Sequence, residues 1–171
     1  MIKNIRRQLT LFVHPLDAED TEKIRQQYNP LQSKIIKCHV TLCREDEIEN
    51  ITQVIANLKQ LNQASITVSF GKICRFDNGK GLYLPANKTN LEYHELRKKI
   101  LHGIIETPRY SMPHITLMHP RNSTCTDTIF EGINKINLPT QLKFNKISLI
   151  EQHHDESWNV LQEFELIDDV F

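Results

Sequence analysis

Two tetrapeptides far apart in the chain have the same form: His39-Val40-Thr41-Leu42 and His114-Ile115-Thr116-Leu117. On an extended strand the side chains alternate faces. In each copy the histidine and threonine therefore share one face and the two aliphatic residues share the other. An imidazole and a hydroxyl set on an apolar backing, twice over, suit acid–base work at a phosphodiester. Attack on such a diester needs a base for the nucleophile, an acid for the leaving oxygen and donors for the anionic phosphoryl oxygens. Histidine serves either proton role because its reference pKa, about 6.5, lies near working pH. A threonine hydroxyl on the same face can donate to a phosphoryl oxygen. The scheme needs neither a metal nor any other cofactor. One His-x-Thr strand is uninformative, whereas two with apolar residues at both alternate positions point to His39 and His114 as the acid–base pair and Thr41 and Thr116 as phosphate donors.

A phosphate and a flat base also call for a cation and a π-face. Lys72, Arg75, Tyr83, Arg109, Tyr110 and Arg121 are the candidates for substrate contact by local charge and position. Between Val68 and Arg109 eight basic residues stand against four acidic ones, although a solvated charged face explains such a run as well. Cys43 shares strand parity with His39 and Thr41, so it either lines the cleft or packs as a small thiol. His119 lies five residues past His114, a spacing that matches no zinc signature. His153-His154 sits in a polar turn and is expected to face solvent, whereas for His14, at the end of the first strand, an approach to the cleft is the less favoured reading.

The elements that must position these groups alternate between strand and helix. Arg7 to His14 reads as a first strand stopped by Pro15, and Asp17 to Tyr28 as a helix ended by Asn29-Pro30. Ile48, Ile51, Val54, Ile55, Leu58 and Leu61 mark one helical face. Ser65 to Phe76 reads as one long strand, Asp77-Asn78-Gly79 as a turn and Gly81 to Leu84 as its hairpin partner. Thr89 with Glu92 forms a capping-box signature for a helix burying Tyr93, Leu96, Ile100 and Ile104. Ile129, Phe130, Ile133 and Ile136 predict a last helix, and Gln141–Glu151 and Trp158–Leu166 two closing strands. Each motif is followed by a helical segment and then a strand. Two such halves, packed with their motif strands side by side, would bring both His-Thr faces to one central cleft.

The doubled His-hydrophobic-Thr-hydrophobic signature resembles that of the two-histidine (2H) phosphoesterase superfamily. The opening LTLFVHP, Pro113 before the second motif and the late ISLIEQ…WNVLQEFEL hairpin are similar to its branch named for bacterial RNA 2′-5′ ligases, which includes RNA 2′,3′-cyclic phosphodiesterases. The resemblance implies an α+β, bilobed, pseudo-twofold fold: two antiparallel-sheet lobes with outer helices and a central cleft. It implies a phosphodiesterase acting on 2′,3′-cyclic phosphate ends or 2′-5′-linked (oligo)nucleotides, with ligation as the reverse reaction. A second reading, a nucleotide- or RNA-binding module with little catalysis, is opposed by intact histidines in both motifs. A third, a metal-dependent hydrolase drawing on the eight histidines, lacks a recognisable ligand cluster.

Composition bounds these readings. The length of 171 residues and a 39% hydrophobic content predict a single domain over residues 1–171 with its own core. The 21 basic and 21 acidic residues cancel, which argues against coating long nucleic acid but leaves a small or terminal phosphate ligand open. Four cysteines without CxxC spacing and no secretory signal point to reduced thiols in a cytoplasmic protein, expected as a monomer. No apolar run reaches the roughly 18 residues of a membrane span.

Overall fold

A computed structural model describes residues 4–76, 79–87 and 89–168. In it the strand-forming segments build one seven-stranded antiparallel sheet and a second sheet of two strands. Strand β1 (Ile5–Phe12) leads into α1 (Glu19–Tyr28), whose buried residues Thr21, Ile24 and Arg25 recur at helical spacing. Pro30 ends α1, as expected, because the residue before a proline is pushed out of the helical region. The same proline then opens a short helix that the sequence reading did not anticipate, α2 (Pro30–Ile35), since its ring pre-sets the first helical φ. Strand β2 (His39–Cys43) carries the first motif. A 3₁₀ turn at Glu45–Glu47 and α3 (Ile51–Lys59), capped by Asn50 accepting from the Gln53 N–H, follow it.

Two stretches expected as single strands are each divided. Ser65–Phe76 becomes β3 (Ile66–Ser69) and β4 (Cys74–Arg75), and Gln141–Glu151 becomes β7 (Gln141–Phe144) and β8 (Lys146–His153). In both cases the first piece joins the small β3–β7 sheet and the second joins the large one. At the first break Gly71 lies against the neighbouring chain: an added Cβ would stand 3.1 Å from Asn87 Cβ. Of the predicted turn, Asp77 and Asn78 lie outside the described residues, while Gly79 takes φ +69 and β4 pairs β5 (Leu82–Pro85) as its hairpin partner. Helix α4 (Leu91–Ile100) buries Tyr93, Leu96 and Ile100, but the Thr89–Glu92 capping box does not form. Its N-cap is Asn90; the Glu92 carboxylate accepts the Thr67 N–H and Asn90 Oδ1 the Ser69 N–H, so the α4 start serves β3 instead of itself. Strand β6 (His114–Met118) carries the second motif, α5 (Asp127–Asn134) is capped by Thr126, and β9 (Asn159–Glu165) closes the large sheet.

The large sheet runs β4-β5-β6-β2-β1-β8-β9. Its halves meet where the two motif strands lie antiparallel, joined at the single pair Val40↔Ile115. Around that pair the sequence repeat becomes a spatial one. Each motif strand has an outer antiparallel neighbour, β1 for β2 and β5 for β6, and each of those ladders shifts register at the same place. Leu42 and Leu117 are the extra residues of the two bulges, and the burial pattern along β2 and β6 is identical. Val40, Leu42, Ile115 and Leu117 are all within 1% of complete burial, in the same core as Tyr93, Leu96 and Ile100 of α4. These features make up an α+β fold of antiparallel sheets with a pseudo-twofold repeat about the two motif strands.

Candidate active site

The antiparallel register through Val40↔Ile115 sets Thr41 across from His114 and His39 across from Thr116. All four side chains line one cleft of about 600 Å³, with the four aliphatic motif residues buried behind them. The two imidazoles are held in the same way. His39 Nδ1–H donates to the Lys37 carbonyl at 2.7 Å and His114 Nδ1–H to the Met112 carbonyl at 3.1 Å, in each case two residues back along the chain. A carbonyl only accepts, so each neutral ring keeps its proton on Nδ1 and leaves the Nε2 lone pair available. Each ring also has aromatic company, Phe12 beside His39 at 6.1 Å between centroids and Tyr83 beside His114 at 5.7 Å.

Burial is the leading cause that pushes the His39 imidazole down to about 4, with the Arg25 and His114 charges adding to it and the Lys37 bond opposing. His114 is lowered as well, by burial and by Arg44, against its bond to the Met112 carbonyl. Both rings are therefore neutral near pH 7, and an anion beside them would raise their proton affinity.

Two ion pairs, each with a buried arginine, bracket β2. At its start, Arg25 binds the Glu22 carboxylate (2.9 Å) and donates to the Ile36 carbonyl (2.7 Å), while Glu22 accepts the Cys38 N–H. At its end, Arg97 binds Glu47 (2.6 Å) and donates to the Leu42 carbonyl of the bulge and to the Arg109 carbonyl. Glu47 in turn accepts the Arg44 N–H (2.9 Å), and the Tyr93 hydroxyl donates to the Thr41 carbonyl. The strand is thus gripped through its backbone from both ends, which fixes where His39 and Thr41 point. The bulge also decides Cys43: parity would place it with His39, yet the extra residue Leu42 turns its thiol into the core, where burial pushes it up to about 12.

The other candidates separate by position. Arg121 lines the cleft. Tyr83, Arg109 and Tyr110, with Phe76, line a side pocket of about 330 Å³ that shares Arg44 and His114 with the cleft. There Arg109 is engaged by Asp46 and Glu47, and Tyr110 stacks on His94 at 4.9 Å. Lys72 and Arg75 stand apart from both: Lys72 borders a gap between Leu84 and Ile133, and Arg75 pairs with Asp127 at 2.8 Å over the Phe130 ring. The strand break at Gly71 carries them away. His14 is exposed, and His153 binds Glu151 at 2.6 Å.

The cleft also holds Arg44, which the sequence reading passed over, and His119, which it weighed only as a metal ligand. Each lies five residues past its motif histidine, so the repeat extends beyond the tetrapeptide and was detectable there. Arg6, on β1, and Trp158, just before β9, line it too, delivered by the β1–β8 and β8–β9 pairings, which no local pattern announces. Among the described residues no three His, Cys, Asp or Glu side chains converge as a metal site would require, and no helix is long and apolar enough to cross a membrane.

The family model described as the 2′-5′ RNA ligase superfamily matches residues 12–156. Among solved structures, the chain is similar to E. coli LigT in its apo form, with a TM-score of 0.65 and 13% identity over 94% of this chain and 96% of that one. E. coli LigT complexed with 3′-AMP gives 0.62 and 13% over 94% and 97%. TT0787 of Thermus thermophilus gives 0.61 and 16% over 96% and 100%. At these identities the likeness concerns the fold. No curated protein sequence gives a significant match.

Proposed function

Because this chain belongs to the 2′-5′ RNA ligase superfamily, we propose that it is a phosphodiesterase that opens 2′,3′-cyclic phosphate ends or cuts 2′-5′-linked (oligo)nucleotides by acid–base catalysis. The observation that carries the reading is the pair of histidines pinned identically through Nδ1 on one cleft, each with a threonine hydroxyl across from it. One neutral imidazole takes a proton from water through Nε2 as the oxygen attacks phosphorus. The other, protonated in the presence of the phosphate anion, gives its proton to the departing ribose oxygen. Thr41 and Thr116 donate to the non-bridging oxygens, with the Arg44 guanidinium nearby to offset the growing charge. The base lies in the side pocket beside His114, against Tyr83, Tyr110 and Phe76, with Arg109 at its wall. A fold neighbour solved with 3′-AMP supports a nucleotide ligand.

A panel of 2′,3′-cyclic nucleotides, 2′-5′ dinucleotides and 3′-5′ dinucleotides, assayed in EDTA with products resolved by phosphate position, tests this. Wild-type protein is expected to turn over one of the first two classes. His39→Ala and His114→Ala should each lower turnover by roughly 10²- to 10⁴-fold, and together by less than the product of the two. A folded His39→Ala protein working at the wild-type rate would overturn the assignment, as would activity lost in EDTA and restored by a metal ion.

A further inference from the structure

We propose that the cleft contains a second phosphate site, built from Arg121, His119 and Arg6, so that the preferred substrate carries a phosphate beyond the scissile one. The inference rests on the phosphodiester reading only for the identity of the scissile group. Its centre is a meeting of donors. The Arg121 backbone N–H donates to His119 Nδ1 at 3.1 Å, which leaves the neutral ring's proton on Nε2. An Arg121 guanidinium nitrogen lies 3.4 Å from that same Nε2, and it too can only donate. Two donors turned on one another are satisfied together by an oxyanion between them. Among the described residues no carboxylate pairs with either side chain.

The loop that carries them is built to hold this arrangement. Asn29, 1% exposed at the junction of α1 and α2, accepts the His119 N–H at 2.7 Å and donates to Asn122 Oδ1 at 2.8 Å. The Ser123 hydroxyl donates to the His119 carbonyl at 2.6 Å, and Asn122 also donates to Gln32. A ligand therefore meets a loop already ordered. Arg6 completes the site from β1. Glu45 (3.2 Å) and Gln152 (3.3 Å) hold its guanidinium over the Trp158 ring, 5.5 Å from the centroid. Arg6 and Arg121 are both close enough to His119 to lower its proton affinity, after burial as the main cause. Glu45 offsets part of the Arg6 charge, which leaves Arg121 as the principal cation.

Such a site accepts either a terminal phosphate or the internal diester of a neighbouring nucleotide. Calorimetric titration separates these without requiring turnover. A nucleoside 3′-monophosphate serves as reference, and the matching 3′,5′-bisphosphate and a dinucleotide ending in a 3′-phosphate are the two probes. At least one probe should bind wild-type protein about tenfold more tightly than the reference, the order expected of one charge-assisted contact. Whichever probe shows the gain identifies the source of the phosphate. Arg121→Ala and Arg6→Ala should bring the ratio to within about twofold of unity, whereas Lys98→Ala, outside the cleft, should keep it. The absence of any gain, or its survival in Arg121→Ala, overturns the proposal. Failure of turnover with these ratios intact would instead overturn the phosphodiesterase reading alone.

Discussion

At the scale of the residue, His39 couples the site to stability through its burial. In the unfolded chain a histidine titrates near 6.5, whereas burial holds folded His39 near 4. Between those values the unfolded chain binds a proton that the folded one refuses. Stability contributed by this group is thus complete above about 6.5 and is lost as pH falls toward about 4. Melting temperature should drop between pH 7 and pH 5, and His39→Gln should drop less over the same interval. His94, His114 and His119 are also lowered, chiefly by burial, so some slope should survive in the variant. Superimposable profiles for the two proteins would show that His39 is not held neutral by the fold. The four motif residues were legible here because residue type, two-residue alternation and duplication act on neighbours in the chain. Lys72 and Arg75, expected at the substrate from local charge, line neither the cleft nor the side pocket, since local charge says nothing about which side of a strand break the chain follows.

At the scale of the element, β2 keeps its geometry through groups on other elements. Arg97 is 2% exposed and donates to Leu42 and Arg109 carbonyls besides pairing with Glu47, itself 3% exposed. Arg97→Met would leave two carbonyls without this donor and the Glu47 carboxylate with only Arg109, at 3.3 Å, and the Arg44 N–H. Removing one member of a buried pair costs about 3–5 kcal/mol, and urea denaturation should show a loss of that order. A change no larger than that of a surface substitution, about 0.5 kcal/mol, would mean that the strand is held by its ladders alone. The bulges at Leu42 and Leu117 belong to this scale as well. Pure alternation puts Cys43 beside the histidines, and only the inserted residue, which depends on pairing with β1, sends it to the core.

At the scale of the whole molecule, the two halves of the large sheet meet through one residue pair, Val40↔Ile115, whereas β1 and β8 share a register of six. A phosphate bridging the two motif strands would tie the halves together, and a ligand that binds only the folded state protects what it bridges. Hydrogen exchange at β2 and β6 should therefore slow more than at β1 and β8 when inorganic phosphate is added, and uniform or absent protection would count against the bridging site. The amino-acid sequence by itself determined the fold class, the helices at Glu19–Tyr28, Ile51–Lys59 and Leu91–Ile100, and the four residues facing the cleft. Apolar periodicity and a doubled motif are written along the chain and need no knowledge of what lies across from them. Only the tertiary structure decided that the long strands divide between two sheets, and that Arg6 and Trp158 join the cleft while Lys72 and Arg75 lie outside it. Those outcomes depend on which strand lies beside which, and pairing between residues more than 100 positions apart leaves no local trace.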